Sequence, residues 1–231
     1  MHIKIWSDIR CPFCYIGKKH FEAALNSFPE KEKITVEWKS FELDPNLKTT
    51  TTTDALTHFV DSKGIDRERA KHMFNNVTSM AANTGLDFNL ENSIPANSFN
   101  AHRLLHFAKQ EGLAHKTKEA LLQAHLTEGK NIDDHTVLLD LSKSIGLDTF
   151  KVKHMLESDD FAYEVRQDEM EARNLGINSV PFFVLDNKYG VSGAQPVEVF
   201  KQALQDAWEK HQSKLTIVAN DNSCDINGNC N

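Results

Sequence analysis

The stretch Cys11-Pro12-Phe13-Cys14 restricts the fold more than any other part of the chain. It follows a segment in which Ile3 and Ile5 alternate with polar residues before Trp6, a pattern that predicts a short strand. Pro12 suits the first turn of a helix, where its missing N–H costs nothing. Ile16, Ala24, Leu25 and Phe28 then fall near helical spacing, and Pro29 stops the run. Ile34, Val36 and Trp38 alternate again and predict a second strand. Strand, helix and strand make a βαβ unit, with a cysteine pair at the turn into its helix.

The middle of the chain changes character. From 54 to about 158 the apolar residues recur at helical spacing and no strand pattern stands out. Leu56, Phe59 and Val60 form one face, Met73, Phe74, Val77 and Met80 a second, and Val137, Leu138, Leu141 and Ile145 another. After Phe161 the α/β rhythm returns. Phe161, Val165, Ala172 and Leu175 predict a helix ending at Gly176, and 180–185 reads as a strand. Turn residues 186–190, a strand at Val191-Ser192 and a last helix from Pro196 complete the pattern. The expected fold is α/β, with segments 1–47 and 161–218 forming one unit, 48–160 a helical insertion, and 219–231 a polar tail.

Thirty-three acidic against 26 basic residues leave a net charge of −7, which argues against nucleic acid or an anionic membrane as the main partner. No run approaches the ~20 apolar residues of a membrane span. The first residues lack the basic and apolar regions of a secretory leader, so a cytoplasmic protein with reduced thiols is expected.

Cys11 sits where free N–H groups and the positive end of a helix dipole converge. That setting favours a thiolate and a readier nucleophile. Cys11 is therefore expected to be the exposed attacking sulfur and Cys14, one turn in, the buried resolving one, with Arg10 adding positive charge that Asp8 partly cancels. A site of four cysteines for zinc would need Cys224 and Cys230 folded back across the domain, and their five-residue spacer exceeds the usual two to four, so no metal is expected. Val180-Pro181 opens an apolar segment; in cis it would set the Val180 backbone beside the cysteines for an extended substrate to pair with, and in trans it would mark a strand edge. His102 and His106 lie one helical turn apart but lack the zincin pattern, since Arg103 follows the first, so a solvated or packing role is expected.

Trp6-Ser7-Asp8 before the cysteine motif, Phe41-Glu42-Leu43-Asp44-Pro45, Asn100-Ala101-His102-Arg103-Leu104, Val180-Pro181-Phe182-Phe183 and Val191-Ser192-Gly193-Ala194-Gln195-Pro196 together resemble the FrnE branch of the DsbA-like thioredoxin-fold oxidoreductases. The blocks span 3 to about 205. The resemblance implies a thioredoxin fold interrupted by an all-helical domain, a dithiol–disulfide site at Cys11 and Cys14, and a cis-proline at Pro181. It also implies a groove lined by the helix that carries His102. Pro12, Phe13, Val180, Pro181 and His102 are then the expected substrate contacts. Between the cysteines stand Pro12 and Phe13, where DsbA carries Pro-His; Phe13 cannot donate to a thiolate, so strong oxidising power does not carry over.

Cys224 and Cys230 flank a Gly/Asn-rich loop that could close a disulfide without strain, and they are the candidate second redox pair. The reading is thus an enzyme exchanging disulfides with protein or small thiols, monomeric or homodimeric, without a cofactor, with glutathione as a candidate co-substrate. Two alternatives stand beside it. One is a glutathione-dependent transferase or isomerase resembling the kappa class, which typically has a single Ser in place of Cys11. The other is a non-enzymatic chaperone or metal-binding module.

Overall fold

Ile3 and Ile5 point to one side of strand β1 (His2–Ser7) and Trp6 to the other, and all three are buried. A strand buried on both faces needs cover on both sides, and the rest of the chain supplies it. The computed structural model describes residues 1–212. Helix α1 (Pro12–Asn26) follows β1 and lays Phe21 and Ala24 on the face carrying Ile3 and Ile5. It returns the chain to β2 (Thr35–Ser40), which runs parallel to β1 with His2 opposite Thr35 and Ser7 opposite Ser40.

Six helices come next: α2 (Ala55–Lys63), α3 (Arg67–Ala82), α4 (Phe99–Gln110), α5 (Ala114–Leu126), α6 (His135–Ile145) and α7 (Thr149–Leu156). Asp54, Asp66, Asp134 and Asp148 each accept a backbone N–H at the start of a helix, satisfying donors the helix leaves free. Helix α8 (Ala162–Asn174) then leads to β3 (Phe182–Leu185) and β4 (Tyr189–Ser192), and α9 (Val197–Gln212) packs Phe200, Leu204 and Trp208 against the sheet. The sheet order is β2-β1-β3-β4, with β3 antiparallel to both neighbours. This is a DsbA-like thioredoxin fold with a large helical segment between its two parts.

The helical segment seals one end of the sheet. Leu105 of α4 sits in the sheet core. Ile9, just before the cysteines, packs into the α4, α5 and α7 core. Tyr15 and Ile16 of α1 meet Leu122 and Leu126 of α5. The cysteine motif therefore lies at the junction of the two parts.

Two expected faces are corrected. Met73 and Met80 are exposed, and the buried stripe of α3 is Ala70, Phe74, Val77 and Ala81, a shift of one residue around the helix. Leu175 is 55% exposed, because α8 ends before it. Gly176 adopts φ +73° and turns the chain, so that Ile177 donates to Ala172 O at 2.8 Å and packs on Ala172 in its place. Residues 213–218 of the predicted second segment, the tail, and Cys224 and Cys230 lie outside the described residues.

Candidate active site

Cys11 is the N-cap of α1, in extended conformation (φ −87°, ψ 113°), and Pro12 opens the helix. Cys14 N–H donates to Cys11 O at 3.0 Å, closing the first turn. The two cysteines approach to 3.4 Å, and both are free thiols. Cys14 is buried, as expected, but so is Cys11, only 4% exposed; the exposed residue of the motif is Phe13. The reason is what packs above it. The peptide bond between Val180 and Pro181 is cis, and Cys11 Sγ donates to Val180 O at 3.7 Å. Gly17 makes this approach feasible: a Cβ there would stand 2.9 Å from Pro181 Cγ and 3.3 Å from Ala194 Cα. Pro181 is itself buried, and Val180 and Pro12 are half-buried.

The expected thiolate at Cys11 is also corrected. The hydrogen bond with the Cys14 sulfur, burial, the charge of Cys14 and the Asp8 carboxylate push the Cys11 thiol above its ordinary value, against the pull of the Cys14 N–H. A helix N-terminus is worth about 1 kcal/mol to an anion, and desolvation beside a second sulfur outweighs it.

Asp8 is the buried acid behind the pair. Its Oδ2 accepts from Leu43 N at 2.8 Å and its Oδ1 from Arg10 N at 3.1 Å. Burial favours the neutral acid, but His102, Arg10 and the Leu43 N–H prevail and hold the carboxyl well below the usual range. His102 does not face a groove. It is wholly buried, its Nε2 stands 3.5 Å from Asp8 Oδ1, and neither ring nitrogen has a hydrogen-bond partner. Burial pushes its pKa down against the pull of Asp8. His106 packs as expected, with Nε2 3.1 Å from Ser40 Oγ and 3.2 Å from Asp168 Oδ2.

Sequence reasoning missed Lys118 on α5. It is fully buried, its ammonium donates to Ser7 O at 3.3 Å, and it lies 5.6 Å from the Trp38 ring centre. Burial lowers its pKa to about 8, while Cys14, Asp8 and Cys11 pull the other way. The signal was present: Thr117, Lys118, Leu121, Leu122 and His125 share one stripe of α5, and a lysine on an apolar stripe needs a reason.

The chain is similar to proteins of known sequence and structure. Residues 2–205 match the model of the DSBA-like thioredoxin domain. An uncharacterized protein, YwbO, of Bacillus subtilis (strain 168) is 30% identical over 213 residues, 91% of this chain and 98% of that one. The crystal structure of a probable DsbA oxidoreductase, SCO1869, from Streptomyces coelicolor has a TM-score of 0.87 and 38% identity, covering 100% of this chain and 98% of that one. A 2-hydroxychromene-2-carboxylate isomerase shares the fold alone, with a TM-score of 0.70, 14% identity, and coverage of 94% of this chain and all of that one. The chain belongs to the DsbA-like thioredoxin-domain family. No helix among the described residues is long and apolar enough to cross a membrane.

Proposed function

We propose that the protein is a thiol–disulfide oxidoreductase of the FrnE type, with Cys11 and Cys14 as its redox pair and disulfides of proteins or small thiols as substrates. The observation that carries the reading is the pair itself: two free sulfurs on one helix turn, in contact, with Cys11 against the Val180 carbonyl ahead of β3. The same fold hosts an isomerase, so the fold does not choose the chemistry, and the second cysteine does.

The exchange runs in two displacements. Cys11 gives up its proton and attacks one sulfur of a substrate disulfide; the other substrate sulfur leaves as a thiolate and takes a proton. Cys14, deprotonated in turn, attacks Cys11 Sγ and expels the second substrate sulfur. Two electrons and two protons pass to the substrate, and the enzyme keeps the disulfide; the reverse sequence oxidises a dithiol. The cis bend leaves the Val180 backbone beside the cysteines, where an extended substrate segment pairs with it.

The residues around Cys11 bear on its oxidising power. DsbA is strongly oxidising because its reduced form is stabilised, at about −120 mV, whereas thioredoxin stands at about −270 mV. Burial disfavours a Cys11 thiolate and Phe13 supplies no donor to one, so the strongly oxidising end of this range is not expected. The test is equilibration across glutathione buffers, alkylation, and mass spectrometric mapping of every cysteine. A Cys11–Cys14 disulfide with a single midpoint below that of DsbA is expected. Failure of the two to pair, with only a glutathione adduct on Cys11, overturns the reading in favour of a glutathione-dependent enzyme.

A further inference from the structure

Beside the cysteine motif a cavity of about 370 Å³ opens between the active-site turn and the helical segment. Arg10 and Pro12, the neighbours of Cys11, form one wall; His58 and Lys63 of α2 and His125 of α5 form others. That is the size of a small-molecule site and too small for a folded partner.

The polar groups of this wall are out of balance. Arg10 has no carboxylate within ion-pair distance among the described residues, and its Nη1 is shielded from solvent with no hydrogen-bond partner. His125 is only 5% exposed, and its Nδ1 is likewise without a partner. Lys63 is exposed at the rim and unpaired among the described residues. The cavity's one acid, Asp44, turns its Oδ1 to Asn46 N at 3.1 Å. Asp8 offers its oxygens to the backbone of Arg10 and Leu43. Burying a guanidinium nitrogen unpaired is costly, and hydrogen bonds from a charged donor to a carboxylate are among the strongest a protein makes.

We propose that this cavity is the specificity pocket for a low-molecular-weight disulfide that carries a carboxylate, with Arg10 as the group that binds the anion and His125 as a second polar contact. The inference rests on the thiol–disulfide reading above and adds the substrate class to it. An anion here sits one residue from the reacting sulfur, so its binding sets the disulfide beside Cys11.

The test compares two aryl disulfides, dithionitrobenzoate, which bears carboxylates, and neutral dithiodipyridine. Each rate with the reduced protein is divided by its rate with a free thiol in the same buffer, which removes the difference in leaving group. The normalised rate for the carboxylate disulfide should exceed that for the neutral one, and Arg10→Gln should cut the ratio of the two about tenfold. Arg10→Lys, which keeps the charge and loses the planar fork, should fall between. Lys188→Gln, an exposed change on the β3–β4 turn, controls for general steering and should leave the ratio alone. An unchanged ratio in both Arg10→Gln and His125→Phe overturns the pocket, as does an equal fall in Lys188→Gln. If neither disulfide modifies Cys11 in the wild type, the thiol–disulfide reading fails instead. Should Arg10→Gln not fold, saturation decides: the wild-type rate with the carboxylate disulfide should plateau and be slowed by benzoate, and a strictly linear, benzoate-insensitive rate refutes binding.

Discussion

Replacing Lys118 by Met should make the stability difference between variant and wild type depend on pH, with a size that follows from burial. The ammonium is fully buried, has no carboxylate partner among the described residues, and titrates at about 8 against an ordinary 10.5. The sign follows from linkage. Below pH 8 the lysine is charged in both folded and unfolded chains, and the fold bears the whole desolvation cost. Above 10.5 it is neutral in both, and the cost is gone. Wild-type stability therefore gains relative to Lys118→Met as pH rises from 8 to 10.5. A lowering from 10.5 to about 8 corresponds to about 3 kcal/mol at about 1.4 kcal/mol for each tenfold change. Loss of the bond to Ser7 O, about 1 kcal/mol, and the fit of the Met side chain shift the curves by amounts nearly independent of pH, so the change with pH isolates the charge. Urea unfolding of both proteins at pH 7, 9 and 10.5 under reducing conditions measures it. At pH 7 the variant should be the more stable, and the gap should shrink by about 3 kcal/mol toward pH 10.5. A gap that stays constant or widens would refute the reasoning and show that Lys118 is compensated in the fold, with the sulfurs as its counter-charge.

Cys14→Ser should accumulate the mixed disulfide between Cys11 and substrate, visible as a mass increase that a reductant reverses, whereas Cys11→Ser should form none. Gly17→Ala should destabilise by about 1–3 kcal/mol, since the added methyl meets Pro181 Cγ at 2.9 Å and a helix backbone cannot yield; a thermal melt that does not move would contradict the contact. Glu119 is held down to about 2, because Lys18, Lys19 and Tyr15 bond its carboxylate against the cost of burial. The stability it contributes is present above the ordinary 4.5 and is lost as pH falls toward 2. Glu119→Gln should therefore cost stability at pH 7 and progressively less in acid, as read from urea midpoints; being half exposed, the group is worth less than its shift suggests.

The sheet and the cysteine motif were legible because each depends on short-range pattern. Alternation at Ile3 and Ile5 and at Val36 and Trp38, with Pro12 between, suffices to specify a βαβ unit, and observed strands β1 and β2 and helix α1 lie where those residues put them. The helical stretch was legible in kind but not in detail. One residue of rotation separates the Met73 face from the Ala70 face, and small alanines carry too little hydrophobic signal to mark the side on which two helices touch. What sequence spacing cannot supply is the dielectric at a given atom. The helix-dipole argument for a Cys11 thiolate is sound locally, yet it is opposed by burial and by groups 3 residues away in Asp8 and Cys14. Lys118 and His102 arrive from separate helices and meet the same buried space only because α4 and α5 close the end of the sheet. The helical segment thus does more than cover the dithiol. By burying a lysine, a histidine and an aspartate behind two sulfurs it sets the charge around them, and on the proposed reading how easily Cys11 gives up its proton to begin the exchange.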